Sequence, residues 1–130
     1  MSRPEAGRAG TTGPVLAGIL AVTSAEDVLR VAFDEAERRT VPLRVVASVL
    51  SEGDRLVLGD VLECWSGKYP GVSVSTSVRG DLDPAICLTA ATRTCCLAVL
   101  SAPGDARTAA AVAAVARRAS CPLVVLPSAD

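Results

Sequence analysis

The sequence predicts a three-layer α/β domain with a doubly wound parallel sheet, and three observations lead there. Apolar runs alternate with helix-period segments along almost the whole chain, which is the pattern of βα units and not of hairpins. Half of the residues are hydrophobic but only 2% are aromatic, so the core must be a dense packing of Val, Leu, Ile and Ala of the kind that parallel strands bury on both faces. The 130 residues suit one domain, large enough to fold without a disulfide or a metal.

Residues 1–13 hold three Gly and one Pro, with no apolar side chain beyond Ala after Met1. They cannot bury enough surface to offset the entropy of ordering and are expected to form a disordered tail. A single domain is expected over 14–130. Its first strand is expected at Val15–Val22, too continuously apolar for a strand with one wet face. Ser24 is placed to cap the following helix, in which Val28, Leu29, Ala32, Phe33 and Ala36 recur at helical spacing and mark the core stripe. On the other face Glu26, Asp34 and Glu35 precede Arg30, Arg38 and Arg39 by four residues, an order that supports the helix and suits its dipole.

The second strand is expected at Leu43–Leu50, again apolar and central, and the second helix over Asp54–Gly67. That helix presents Leu58, Val61, Leu62 and Trp65 on one face, with Trp65 expected against the sheet, and closes at Tyr69, Pro70 and Gly71. From Val72 to Val78 the chain alternates Val or Thr with Ser, a period of two that leaves one face wet and predicts an edge strand. Arg79-Gly80-Asp81 reads as a turn. Asp83-Pro84 is an N-cap followed by proline at the first helical position, opening a short helix to about Thr92. A fourth strand at Cys96–Ser101 leads to an alanine-rich helix over Asp105–Ala119. The last strand, Leu123–Leu126, is apolar on both faces and flanked by Pro122 and Pro127, as an edge strand guarded against uncontrolled pairing would be.

Composition narrows the function. A formal net charge of -1, with no cluster of Lys or Arg among aromatics, lacks the footprint of nucleic-acid binding. The longest apolar run, Val15–Val22, is far shorter than the roughly 20 residues that span a bilayer, so neither a membrane anchor nor a signal peptide is expected. The chain is read as soluble and cytoplasmic. Its cysteines, Cys64, Cys87, Cys95, Cys96 and Cys121, form no C-x-x-C pair, and no histidine is present to complete a zinc site. They are expected to be buried free thiols, and no metal is expected. A redox pair of Cys95 with Cys96 or Cys121 stands as an alternative, on the supposition that Cys95 lies exposed at a strand end. With no histidine and no nucleophile evident beside a base, no catalytic residue is assigned and the chain is not read as an enzyme.

Gly18-Ile19, the run Ser24–Arg39, Pro42-Leu43-Arg44-Val45-Val46, Trp65 with Tyr69-Pro70, Val78-Arg79-Gly80-Asp81 and Cys121-Pro122-Leu123-Val124-Val125 together resemble the universal stress protein (UspA-like) family, over about residues 14–127. The resemblance implies a five-stranded parallel sheet of order 3-2-1-4-5 with helices on both faces, a Rossmann-like, adenine nucleotide alpha hydrolase-like fold. It also implies a crevice beyond the carboxyl ends of strands one and four, where the family's nucleotide-binding members hold ATP.

Residue by residue, the match at that crevice fails. Where those members carry an aspartate after strand one, this chain has Leu20, Ala21 and Val22. Where they carry a glycine-rich phosphate loop after strand four, it has Ser101, Ala102, Pro103, Gly104, Asp105, Ala106, Arg107 and Thr108, with one glycine and a negative charge. No cofactor is therefore expected. The expected role is a regulatory module that works without ATP, as a homodimer joined through Leu123, Val124, Val125 and Leu126 or by binding an unidentified protein partner. A variant nucleotide binder using Ser101, Arg107 and Thr108 at the crevice mouth is the principal alternative.

Overall fold

The computed structural model describes residues 13–48, 51–78, 83–101 and 106–126. Strands β1 (Val15–Ile19), β2 (Leu43–Ala47), β3 (Val74–Val78), β4 (Leu97–Ser101) and β5 (Leu123–Leu126) alternate with helices α1 (Ala25–Arg39), α2 (Glu52–Lys68), α3 (Pro84–Ala91) and α4 (Ala106–Arg118). All strands pair in parallel, in the order β3-β2-β1-β4-β5. This is the order expected, with the serine-rich β3 and the short β5 at the edges.

The sheet divides the core in two because successive side chains on a strand face opposite ways. On one side Val15, Ala17, Ile19, Val45 and Val99 pack with the α1 stripe and Leu58 of α2. On the other, Leu16, Val46, Ala98 and Leu100 pack with Leu88 and Ala91 of α3 and Val112 and Val115 of α4. Gly18 lets α3 settle onto β1: a Cβ there would overlap Leu100 Cδ2 and stand 3.0 Å from Leu88 Cδ2.

Several boundaries differ from expectation for local reasons. β1 ends at Ile19, not Val22, because the chain turns at once into a 3-10 turn, Val22–Ser24. Ser24 does not cap α1 with its side chain. Its hydroxyl instead donates to the Ala21 carbonyl (2.9 Å), which also accepts from the Ser24 amide (3.1 Å). β2 is described to Ala47, and Val49 and Leu50 lie outside the described residues, as do residues 1–12 and the Arg79-Gly80-Asp81 turn. α2 starts at Glu52, before the expected Asp54, since the Ser51 hydroxyl accepts from the Asp54 amide at 3.0 Å and caps the helix there.

On α1 the pairs Asp34–Arg38 and Glu35–Arg39 form as expected, at 3.4 and 3.1 Å. Arg30, however, pairs with Asp27 at 3.4 Å and not with Glu26. Glu26 accepts instead from the indole N–H of Trp65 (3.1 Å), so Trp65, half-buried, ties α2 to α1 in addition to meeting the core. Tyr69 completes this seam by stacking on Phe33 with ring centroids 5.5 Å apart. Among the described residues no helix is long and apolar enough to cross a membrane.

Candidate functional site

β1 and β4 are neighbours, yet the helices that follow them pack on opposite faces of the sheet. That divergence opens the switch-point crevice of a doubly wound sheet, where ligands of such folds sit. Leu20 follows β1 at this end of the sheet, half-buried, and lines a small cavity against β2 and α3 with Val46, Ala47, Ser48, Pro84, Cys87 and Leu88. The cavity holds about 10 Å³, room for roughly one water. Ala21 is exposed and Val22 half-buried. None of the three side chains can donate or accept a hydrogen bond, and the hydroxyl of Ser24 is committed to the Ala21 carbonyl.

Across the crevice Ser101 ends β4, half-buried and in register with Leu126. Gly104 and Asp105 lie outside the described residues, whereas Arg107 and Thr108 fall in the first turn of α4. The fold therefore brings Leu20, Ala21, Val22 and Ser101 to one end of the sheet, with the start of α4 following β4.

At the far edge, β5 pairs with β4 on one side. Its side chains alternate as the strand requires: Val124 and Leu126 reach the α1 side of the core, Leu123 reaches the α4 side, and Val125 is 44% exposed.

The thiols correct one expectation and divide another. Cys95 is wholly buried instead of exposed at a strand end, because it sits where the 3-10 turn Thr92–Thr94 leads into the sheet. Burial pushes its pKa up, and this outweighs the opposing pull of Arg44 and of the Thr94 hydroxyl. Cys121 is buried nearby and is pushed up to about 11, by burial first and then by Cys95 and Cys96. Cys96 is buried as well, but Cys87 is half-buried and Cys64 exposed. Cys95 and Cys121 thus stay neutral thiols near neutral pH, poor nucleophiles for redox exchange.

One feature went unread in the sequence. A groove of about 280 Å³ runs between α3 and the β2–β3 half of the sheet, lined by Arg44, Val46, Ser77, Ile86, Cys87, Ala90, Ala91 and Thr94. Arg44 and Val46 face the same way on β2, in register with Ser75 and Ser77 of β3. The available signal was an arginine inside an otherwise apolar strand, PLRVVA, where a charge needs a reason.

No protein-family model matches the chain, and no curated protein matches it. Solved structures do. A universal stress protein from Archaeoglobus fulgidus in complex with dAMP is 21% identical, with 88% of this chain and 97% of that one covered and a TM-score of 0.62. A universal stress protein in complex with cAMP is 14% identical, covering 88% and 95%, with a TM-score of 0.64. The universal stress protein UspA from Lactobacillus plantarum is also 14% identical, covering 89% and 98%, with a TM-score of 0.61. Nearly the full length of each is matched, with the strand order and layering derived above. This chain has the universal stress protein fold.

Proposed function

We propose that the domain is a universal stress protein-like regulatory module that works without ATP and without catalysis, acting as a homodimer through β5 or by holding a protein partner. The observation that carries this reading is the apolar segment that follows β1 at the crevice. Leu20, Ala21 and Val22 offer a ligand no polar side chain. The sequence after β4 adds to it: Pro103 lacks an N–H, and Asp105 brings a negative charge to the stretch that would have to approach phosphates. The absence of histidine and the burial of Cys95, Cys96 and Cys121 support a non-catalytic role.

Calorimetric titration with MgATP tests it. No binding heat up to millimolar nucleotide is the expected result, and a saturable micromolar isotherm would overturn the reading.

A second reading is favoured by the two similar structures solved with dAMP and cAMP, ligands that carry one phosphate and do not call for a triphosphate loop. In that case the crevice takes an adenine monophosphate against the apolar Leu20 face. Titration with AMP and cAMP separates the two, since this reading requires micromolar heat with the monophosphates and none with MgATP.

A further inference from the structure

We propose that the groove between α3 and the β2–β3 half of the sheet binds a small organic anion, with its acidic group on Arg44 and its apolar body along Val46, Ile86 and Ala90. The site lies outside the switch-point crevice and does not depend on the reading of that crevice given above.

Arg44 is half-buried and lines the groove from β2, in the middle layer of the domain. Among the described residues no carboxylate pairs with it, although Arg30, Arg38 and Arg39 on α1 all have one. Its Nη1 donates to the Thr94 hydroxyl at 3.3 Å and its charge is felt by the Cys95 thiol, both neutral partners. A guanidinium has five N–H donors in a planar fork suited to a carboxylate, sulfonate or phosphate, and most of that capacity is not taken up by other described residues. The Ser77 hydroxyl lines the same space and makes no side-chain hydrogen bond to another described residue.

The remaining walls are apolar and include Ile86, a large side chain left 65% exposed beside the groove. A cation among apolar walls selects an amphipathic ligand over inorganic phosphate. The volume of about 280 Å³, near the lower limit for ligand sites, keeps that ligand small. Val46 and Cys87 also line the small cavity beside Leu20, so the apolar lining continues towards the end of β1.

Anilinonaphthalene sulfonate, an apolar body bearing one anionic group, is a suitable probe, with uncharged phenylnaphthylamine as its control. Fluorescence titration of the folded protein should show one saturable sulfonate site per chain. Arg44→Gln should weaken it about tenfold or more, the loss expected for a charge-assisted contact, while leaving the uncharged probe unchanged. Ala90→Trp, which fills the groove, should remove both. A purely structural Arg44 would instead leave sulfonate affinity intact in Arg44→Gln, and that outcome overturns the proposal, as does a wild type that never saturates. If Arg44→Gln fails to fold, Ser77→Asp decides: a carboxylate placed in the same groove should abolish sulfonate binding, and undiminished binding sinks the idea. MgATP and AMP should not compete with the probe, which keeps this test separate from that of the crevice.

Discussion

At the scale of single residues, Gly18 shows how closely the layers approach. Its missing Cβ leaves space that the methyl ends of Leu100 and Leu88, both buried, occupy. Gly18→Ala should therefore cost about 1–3 kcal/mol of stability through overpacking, against the usual gain from replacing a strand glycine. Thermal unfolding would show it as a fall of several degrees. The thiols make a prediction of the opposite kind. Cys64 is exposed and Cys121 buried with its pKa near 11, so a thiol reagent at pH 8 should modify Cys64 quickly and Cys121 only on unfolding. Below the ordinary thiol value of 9.0 the Cys121 proton is held in folded and unfolded chains alike. Between 9.0 and about 11 the unfolded chain releases it and the folded chain does not, so stability should fall with rising pH across that window. Denaturant midpoints measured from pH 8 to 11 would show the decline, and Cys121→Ser should make it less steep, leaving the part due to Cys95.

At the scale of elements, α3 depends on its first residues. The Asp83 carboxylate accepts from the Ala85 amide at 2.8 Å, the Cys87 amide bonds the Asp83 carbonyl at 3.0 Å, and Pro84 sets the first turn. Because α3 is only 8 residues long, this cap is a large part of what fixes it. Asp83→Ala should lower unfolding free energy by about 1 kcal/mol in urea titration, while Asp83→Asn should be nearly silent. This cap was legible in the sequence because Asp-Pro has one good local solution there. Ser24 was not, because serine before a helix can cap it or serve the turn that precedes it, and the choice was made by the sharp exit from β1. Likewise the apolar stripe of α1 announced its core face, but the partner of Glu26 lay 39 residues away on α2. Long-range polar contacts of that kind leave no periodic trace. Of the candidate sites, the apolar Leu20-Ala21-Val22 could be read directly, whereas the Arg44 groove arises only where β2, β3 and α3 meet.

At the scale of the whole molecule, the two sheet edges differ in the way a dimer through β5 requires. β3 presents Ser75 and Thr76 as exposed side chains, a polar border that discourages pairing, while β5 presents Val125. Two copies related by a two-fold axis normal to the sheet would pair β5 antiparallel and extend the sheet across both domains. Such an axis keeps each face of the sheet on its own side, so residues facing each other must share a side-chain direction. A register centred on Val125 meets that condition and sets the exposed valine against its own counterpart. Opposed residues in an antiparallel pair have Cα atoms about 4.5–5.5 Å apart, within disulfide reach. In a Cys64→Ser background, Val125→Cys should thus cross-link to a dimer under mild oxidant, and Val125→Lys should leave a monomer by light scattering at micromolar concentration. Ser75→Lys, on the opposite edge, should leave the mass unchanged. A wild-type monomer, or a Val125→Lys dimer, would move the regulatory surface away from β5 and leave partner binding as the remaining form of the proposed function.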